Sequence, residues 1–470
     1  MIIKSKFISI AILMSVMLYS LRGYSQGKDK SLSSVFFNQT PSHIYDIILS
    51  RPTDNAITAS FLCSQDLRGY IIYGLTPNSL SKRSSEVYFK KDIPSEIELK
   101  NLDPGTRYYY RFIYYDNSST AQNKSELSYF QTKRSTSEKF VFAIQADSHL
   151  DENTSTNAYE KTLHNISSDS ADFLIDLGDT WMTDKYSPNF TDAFKQYLAQ
   201  RYYFGIVGRT TPVYFSLGNH DGEYERGGGR NTGVDSMLNW STKIRKQYYF
   251  NPEPNGFYTG SVNGDQNYYA WEWGDALFII LDPFRYTRQN RDPWNRTLGK
   301  TQYDWLVSTL KSSSKKLKFV FIHNLVGGID NKGIARGGSE ASIFYEWGGL
   351  NSDSTSGFSK HRPDWGLPIH DLLVKYNVCA VFHGHDHIFV KQDRDSIIYQ
   401  TLPQPGAMRY GNINSATEYG YKSGIILNAP GYLRITIVNS TAKIEYVQTS
   451  VDDKNLNKKV LYSYSINGIK

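Results

Sequence analysis

The sequence is poor in cysteine and in long hydrophobic segments, and its charges are nearly balanced. Its 470 residues include two cysteines, Cys63 and Cys379, whose neighbours are apolar, which favours buried thiols over a disulfide. After residue 25 no segment reaches the roughly 20 apolar residues that a spanning helix needs. The formal net charge of +6 is too weak to indicate nucleic acid or an anionic membrane as a partner.

Residues 1–25 have the pattern of a signal peptide. Two lysines precede an apolar stretch over 7–21, and small residues at positions 23 and 25 suit a cleavage before Gln26. Removing the segment lowers the formal charge from +6 to +3, because it carries three cations and no acid. We therefore expect an exported protein, periplasmic or extracellular if bacterial, with 26–39 as a linker. A membrane anchor is the alternative interpretation.

Residues 40–135 show the alternating runs and frequent turn residues of a small all-β domain. In the chain as a whole, the abundance of tyrosine, with 36 copies, also favours sheets over a helical bundle. The candidate strands are 56–63, 69–73, 95–99, 108–115 and 128–132. Through the L-x-P-G-T-x-Y corner at 102–108, the region resembles the fibronectin-III-like sandwich that precedes the catalytic domain of purple acid phosphatases. Many other sandwich modules share this corner.

A polar stretch at 133–138 marks the boundary to a second domain, predicted over 136–450. Its apolar runs are 140–145, 173–177, 213–217, 277–281, 319–322 and 379–382. Its helical patterns are 157–167, 190–204, 301–311 and 368–376. This alternation predicts an α/β fold with helices over the sheet faces and with ligands at the carboxyl ends of the strands. The tail, 451–470, is expected to form a strand.

Polar and metal-ligating side chains follow five of these apolar runs. The motifs, in chain order, are Asp147-Ser148-His149, Gly178-Asp179, Gly218-Asn219-His220-Asp221, His323 and Gly384-His385-Asp386-His387. Each motif alone has an ordinary explanation as a turn or as a hydrogen-bonded core histidine. The ordered set, with each piece at a predicted strand end, indicates a shared site. Carboxylates and imidazoles without nearby cysteine suit Mn²⁺, Zn²⁺ or Fe.

The ordered set resembles the signature of the calcineurin-like metallophosphoesterases over residues 147–387. This resemblance implies a metallophosphoesterase β-sandwich flanked by helices and a pair of divalent or mixed-valence ions. One ion would be bound by Asp147, His149, Asp179 and His387. The other would be bound by Asp179, Asn219, His323 and His385, so that Asp179 bridges them. His220 would face the substrate phosphate, and Asp221 would orient it.

The activity that this arrangement implies is the hydrolysis of a small phosphate monoester by a metal-bound hydroxide, with His220 assisting the leaving group. A phosphodiesterase or nucleotidase on the same site is the first alternative. A surface-binding protein with a degenerate metal site is the second. Neither the natural substrate nor the oligomeric state follows from the sequence.

Three positions depart from the pattern of purple acid phosphatases. Position 149 is His rather than Gly, position 182 is Met rather than the tyrosine that ligates ferric iron, and position 221 is Asp rather than Glu. Because Met182 cannot form an iron phenolate, we expect a colourless protein in which His149 supplies the missing ligand. Mn²⁺ or Zn²⁺ then becomes as suitable as iron.

Two irregular segments, 222–233 and 325–366, adjoin the predicted ligands. Long loops in compact domains are often functional, so Arg226, Arg230 and Arg336 are candidates for contact with the phosphate. Tyr345 and Trp347 are further candidates for contact with the substrate. The alternative for the longer segment is a glycine-rich surface insertion. His383, although next to the last motif, is expected to pack rather than to bind metal.

Overall fold

The computed structural model describes residues 40–116, 120–186, 189–224, 236–288, 292–327, 336–408 and 410–468. The predicted signal peptide, the linker to residue 39, Arg226 and Arg230 lie outside the described residues. Within these ranges, no helix combines the length and the hydrophobicity that crossing a bilayer requires.

The N-terminal region is an all-β sandwich of two sheets, as the sequence predicts. Its strands are β1 (Tyr45–Ser50), β2 (Ile57–Cys63), β3 (Leu67–Gly74), β4 (Lys82–Arg83), β5 (Val87–Phe89), β6 (Ser95–Leu99), β7 (Arg107–Asp116), β8 (Asn123–Lys124) and β9 (Ser128–Gln131). One sheet has the order β1-β2-β6; the other has the order β4-β3-β7-β8, with β5 on β3 and β9 on β7. The inner faces bury an aromatic core that includes Phe61, Phe112 and Phe130. At the predicted corner, the Tyr108 hydroxyl donates to Asp103 Oδ2 at 2.8 Å.

The second domain contains two larger sheets packed face to face. Their strands are β10 (Phe140–Gln145), β11 (Phe173–Asp176), β12 (Val213–Phe215), β13 (Thr259–Gly260), β14 (Tyr269–Trp273), β15 (Ala276–Ile280), β16 (Leu317–Ile322), β17 (Ala380–His383), β18 (Phe389–Arg394), β19 (Ile397–Thr401), β20 (Ile425–Leu427), β21 (Gly431–Val438), β22 (Thr441–Gln448) and β23 (Val460–Asn467). The first sheet has the order β12-β11-β10-β21-β22-β23. The second has the order β13-β14-β15-β16-β17-β19-β18-β20. The tail strand β23 pairs antiparallel with β22.

Helices cover the outer face of each sheet. They are α1 (Thr156–Ser168), α2 (Thr183–Tyr186), α3 (Phe190–Gly208), α4 (Met237–Tyr248), α5 (Lys300–Ser312), α6 (Tyr345–Gly348), α7 (Phe358–His361), α8 (Ile369–Lys375) and α9 (Asn414–Glu418), with 3₁₀ turns at Pro293–Asn295 and Ala341–Ile343. Side-chain caps start several of them: Ser155 accepts from Ala158 N before α1, and Asn189 accepts from Asp192 N before α3.

Three apolar layers hold the second domain together. The layer between the sheets is strongly aromatic and includes Phe142, Phe278 and Phe321. The second lies between the first sheet and helices α1, α3 and α4, and the third lies between the second sheet and helices α5, α6 and α8. The predicted α/β class, with a β-sandwich flanked by helices, is therefore confirmed. The sequence did not predict strands β1, β4, β5, β8, β13, β14 and β18 to β20, or helices α2, α4, α6, α7 and α9.

A buried arginine joins the two domains. Arg201 of α3 is fully buried; its Nε donates to Asp46 Oδ1 at 2.8 Å, and its Nη1 donates to Ser60 Oγ at 3.1 Å, both in the N-terminal sandwich. Arg201 Nη1 also donates to the carbonyl of Tyr248 at 2.9 Å. One side chain thus ties both strands β1 and β2 to the helical layer over the first catalytic sheet.

Replacing this arginine is expected to be costly. Arg201→Ala removes the buried guanidinium that donates to the Asp46 carboxylate, and breaking a buried ion pair in this way typically costs about 3–5 kcal/mol. Arg209→Ala is the matched control, because its ion pair with Glu126 also joins the two domains but leaves the side chains 42% and 81% exposed. An exposed pair contributes less than about 1 kcal/mol. Equal losses in the free energy of unfolding, measured by denaturant titration, would contradict this account of the interface.

Candidate metal centre

The predicted ligands lie together at one edge of the two packed sheets. Parallel pairing of β10 with β11 and of β11 with β12 places three strand ends side by side in the first sheet. Parallel pairing of β16 with β17 does the same in the second. Each ligand lies within four residues of such an end, since parallel strands bring their carboxyl ends to the same edge. Segments far apart in the sequence therefore meet at one site.

The backbone at this edge is strained. Five of the seven predicted ligands have left-handed φ angles between 54° and 70°, which residues other than glycine rarely adopt: Asp147, His149, Asp179, His385 and His387. Such conformations cost on the order of 1–3 kcal/mol each and concentrate at functional sites. Here they turn each side chain away from its strand and towards the centre.

Two glycines leave the room that the carboxylates need. A Cβ on Gly218 would lie 2.3 Å from Asp179 Oδ1, and a Cβ on Gly384 would lie 2.7 Å from Asp147 Oδ2. Since real Cβ contacts are not this short, any other residue would displace the carboxylate that it faces. The glycines of the Gly-Asn-His-Asp and Gly-His-x-His motifs are thus required by close approach.

One group of four side chains brings its ligand atoms within 4.8 Å of one another: Asp147, His149, Asp179 and His387. His149 Nε2 lies 3.8 Å from Asp147 Oδ1 and 3.6 Å from Asp179 Oδ2. His387 Nε2 lies 3.5 Å from Asp147 Oδ1. This is the first predicted ligand set, and its three residues other than His387 are buried.

A second group within the same limit contains Asp179, His323 and His385, all buried. His323 Nε2 lies 3.4 Å from Asp179 Oδ2 and 3.1 Å from Asn219 Oδ1. The structure therefore brings Asn219, the fourth predicted ligand, to the same imidazole. Asp179 belongs to both groups, as expected of a bridging carboxylate.

The donor set fits a cation pair. His323 Nδ1 lies 2.8 Å from the carbonyl of Leu177 and His149 Nδ1 lies 3.1 Å from Asp151 Oδ2, so both Nδ1 atoms carry the proton. Their Nε2 atoms then face carboxylate or amide oxygens, an arrangement that needs positive charge between the atoms, supplied by a second ring proton or by a bound cation. Moreover, His149 Nε2 and His385 Nε2 are buried without a hydrogen-bond partner among the described residues. Imidazole nitrogen and carboxylate oxygen suit Mn²⁺, Zn²⁺ or Fe.

The charges at the centre are strongly coupled. Burial opposes ionisation of Asp147, but the imidazoles of His387 and His149 hold its pKa well below the usual range. Burial likewise opposes a charged His323, yet Asp179 raises the pKa of that imidazole to about 9. Burial followed by the Arg336 guanidinium lowers the pKa of His385 well below its ordinary value. The carboxylates are thus ionised and attract positive charge into the centre.

A neighbouring carboxyl shows the cost of burial without such partners. Burial raises the pKa of Asp176 from 3.8 to about 6, although Thr180 Oγ1 and Gln145 Nε2 donate to it. Below pH 6 the folded chain retains a proton that the unfolded chain releases, so this group lowers stability as the pH rises from 4 to 6, and the loss persists above 6.

Asp176→Asn is therefore expected to raise the free energy of unfolding at about pH 8 by up to roughly 3 kcal/mol, and by little at about pH 4. Gln145 Oε1 has no hydrogen-bond partner within the described chain and can accept from the new amide. Denaturant titration of metal-free protein at both pH values checks this. A variant no more stable than the parent at the higher pH would contradict it.

His220 lies beside the centre rather than in either group of ligands. Its backbone N–H donates to Asp179 Oδ1 at 2.8 Å, and its ring lies 6.0 Å from the His149 ring. Its Nδ1 lies 2.9 Å from Asp184 Oδ2, and the side chain is 32% exposed. Burial opposes protonation, but the charges of Asp179 and Asp184 raise the pKa of His220. Among the described residues His220 belongs to neither group of ligands, and its contact with a substrate stays a prediction.

The prediction that Asp221 orients His220 is wrong. Asp221 is fully buried and accepts four backbone N–H groups, from Gly218, Asp179, Thr180 and Trp181, at 2.7–3.0 Å. Burial and the nearby charge of Asp179 raise its pKa to about 7. Asp221 therefore fixes the loop that carries Asp179. Asp184, which the sequence interpretation missed, is the residue that contacts the His220 imidazole.

Of the remaining candidates, one lies next to the centre and the others lie away from it. Arg336 adjoins the centre: its Nη1 donates to the carbonyl of His385 at 3.0 Å and to Asp386 Oδ1 at 2.9 Å, and its side chain is 28% exposed. Trp347, suggested as a substrate contact, is instead fully buried and donates to the Tyr399 hydroxyl at 3.0 Å. Tyr345 packs in a separate aromatic cluster. His383 lies 3.1 Å from the Thr401 hydroxyl, outside both groups of ligands.

Residues 140–389, more than half of the chain, match the calcineurin-like phosphoesterase family. The fold is similar to the structure of PhoD, with a TM-score of 0.63 and 14% identity over 89% of this chain and 89% of that chain. It is also similar to the purple acid phosphatase PPD1 from yellow lupin (Lupinus luteus) seeds, with a TM-score of 0.60 and 14% identity over 90% of this chain and 74% of that chain. Likenesses at this identity show the fold alone. No curated protein matches the chain.

Proposed function

Because the chain belongs to the calcineurin-like phosphoesterase family, we propose that it is an exported phosphatase that hydrolyses small phosphate monoesters with a pair of metal ions. The observation that carries the proposal is the pair of ligand groups that share Asp179, in which two buried imidazole nitrogens have no hydrogen-bond partner among the described residues. A fold alone does not specify an activity, but a complete ligand set at strand ends supports metal-assisted hydrolysis. Export rests on the signal-peptide pattern of residues 1–25.

The residues that would hold the cations are those that the sequence predicted. Asp147, His149, Asp179 and His387 would hold one, and Asp179, Asn219, His323 and His385 would hold the other. When bound, the cations would lower the pKa of a water and neutralise charge on the phosphate. The neutral amide of Asn219 keeps the negative charge of this set low enough for an anionic substrate to enter.

His220 would move the proton that the leaving group needs. Asp184 accepts the Nδ1 proton, so Nε2 is the atom that can donate to the departing ester oxygen. The raised pKa of His220 favours the protonated acid. The Asp184 carboxylate also stabilises the imidazolium through a charge-assisted hydrogen bond.

Two chromogenic esters test the proposal directly. Turnover of p-nitrophenyl phosphate with Mn²⁺ or Zn²⁺ is expected to exceed turnover of bis-p-nitrophenyl phosphate under the same conditions. Preference for the diester would instead favour the alternative, a phosphodiesterase or nucleotidase. Hydrolysis of neither ester by protein that holds both cations would favour a non-catalytic binding role.

The identity of the ligands also predicts that the protein is colourless. Met182, at the position of the iron-binding tyrosine in purple acid phosphatases, is fully buried and has no phenolate to offer. The purified protein is therefore expected to lack an intense absorption band in the visible region, whichever metal it carries. An intense band from tyrosinate-to-iron charge transfer, measured by absorption spectroscopy, would overturn this ligand set.

A further inference from the structure

Helix α2 contacts one imidazole of the site directly and is linked to a second through the Asp151 carboxylate. Asp184 accepts the Nδ1 proton of His220, and the backbone N–H of Asp184 donates to the His220 carbonyl at 3.2 Å. The next residue, Lys185, donates through Nζ to Asp151 Oδ2. That same carboxylate oxygen lies 3.1 Å from His149 Nδ1. One turn of helix thus reaches both the leaving-group imidazole and a ligand imidazole.

The Asp151 carboxylate is held in a defined position. Its side chain is 5% exposed, and its second oxygen, Oδ1, accepts from the backbone N–H of Asn153 at 2.8 Å. Lys185 is 33% exposed and supplies the cation that allows this carboxylate to stay ionised where water is scarce. The His149 carbonyl is fixed from the other side by Gln196 Nε2, at 2.8 Å. The His149 ring is therefore constrained at both its backbone and its Nδ1.

We propose that Asp151, held in place by Lys185, is a positioning residue. It would orient the His149 ring so that Nε2 faces the cation that His149 and Asp147 would bind together. This inference rests on the proposed metal-dependent function and adds residues that the family motif does not contain. A carboxylate that accepts the outer proton of a ligand imidazole fixes its tautomer and its orientation and increases its basicity. His149 is the ligand that replaces the glycine of purple acid phosphatases, so its support must come from this chain's own residues.

Binding of Mn²⁺ to purified protein, measured by titration calorimetry, tests the proposal without an activity assay. Asp151→Ala is expected to lower the affinity for one of the two cations by about 10–100-fold and to leave the affinity for the other unchanged. Asp151→Asn keeps an oxygen that can accept from Nδ1, so it should recover most of the lost affinity. Asp395→Ala is the matched control, because Asp395 also accepts from a histidine, His370 Nε2 at 2.9 Å, but on the surface and outside the ligand groups.

Lys185→Met separates the positioning role from direct phosphate binding. We expect weaker Mn²⁺ binding than in the parent, because Asp151 loses the contact that fixes it. A raised KM for p-nitrophenyl phosphate at unchanged Mn²⁺ affinity would mean that Lys185 binds the phosphate, and this result would overturn its assignment.

The outcomes distinguish this inference from the proposed function. If the parent protein binds neither Mn²⁺ nor Zn²⁺ nor iron, the proposed function fails. If the parent binds two ions and Asp151→Ala binds them equally well, only the positioning role fails. An Asp151→Asn variant no better than Asp151→Ala would also overturn it, as would a Co²⁺ absorption spectrum that Asp151→Ala leaves unchanged, since altered ligation of His149 should shift that spectrum. Circular dichroism of each variant checks that loss of affinity is not loss of fold.

Discussion

Asp179→Asn is expected to prevent the protein from holding its pair of cations and to lower turnover of p-nitrophenyl phosphate by about 10³-fold or more, since bound cations contribute several kcal/mol to the reaction. The reason is geometric: Asp179 is the residue that the two groups of ligands share. The substitution keeps an oxygen for the backbone N–H of His220, so the loop can retain its path while the central charge is removed. Metal content after dialysis, measured by mass spectrometry, gives the result.

Asp176→Asn is the matched control for this experiment. Asp176 is equally buried, is the last residue of the strand that precedes Asp179, and lies outside both groups of ligands. It should therefore keep the metal content and the turnover of the parent. Loss of metal in both variants would mean that metal binding depends on buried charge near the site in general and not on Asp179 in particular. Retention of both cations by Asp179→Asn would show that the shared carboxylate does not bridge them.

His220→Ala is expected to lower kcat by about 10²–10⁴-fold, the range for a lost general acid, while the metal content stays unchanged. The separation follows from the structure, because the side chain of His220 contacts Asp184 and belongs to neither group of ligands. Steady-state kinetics with p-nitrophenyl phosphate, paired with metal analysis of the same sample, measures both quantities.

The control for this substitution is His164→Ala. His164 lies on the exposed surface of α1, where its ring is 57% exposed and 3.8 Å from Glu160, so its loss should change neither quantity. If His220→Ala loses metal together with activity, the imidazole is a ligand and its assignment as the acid is wrong. If kcat falls less than about tenfold, a different group protonates the leaving oxygen.

The sequence predicted the centre because its ligands are tied to strand ends. A buried strand is readable as an apolar run, and parallel strands share an edge, so the residues after each run can be placed together without knowing the packing. His323 shows this well, since it directly follows β16 and lies 3.4 Å from Asp179. The same reasoning gave the α/β class and most strand positions.

Contacts made by residues away from the strand ends could not be predicted from the sequence. Asp221 follows His220 directly in the sequence, which suggested that it orients the imidazole, yet its oxygens accept backbone N–H groups. Asp184 does contact that imidazole, but it is 36 residues away and lies on a one-turn helix without an apolar pattern. The contacts of Asp151 and Lys185 could not be predicted for the same reason. Side-chain pairing of this kind depends on the path of a loop, which composition does not determine.

The long segment after His323 was misjudged for a related reason. Its glycines suggested an irregular segment, either in contact with the substrate or inserted at the surface, but α6 and α7 form within it, and Trp347 enters the core under the second sheet. Glu346 is fully buried beside Trp347 and accepts from Arg362 Nε at 2.6 Å. Helices of four residues have too few positions to show a period, so their burial cannot be read from the sequence.

We infer that two cations share the Asp179 carboxylate at the ends of the packed strands. Crystals of the protein grown with Mn²⁺ and measured near the manganese absorption edge test it most directly. We expect two anomalous peaks, one between Asp179 and His149 and the other between Asp179 and His323. A single peak, or two peaks that both avoid the Asp179 carboxylate in protein saturated with Mn²⁺, would contradict it.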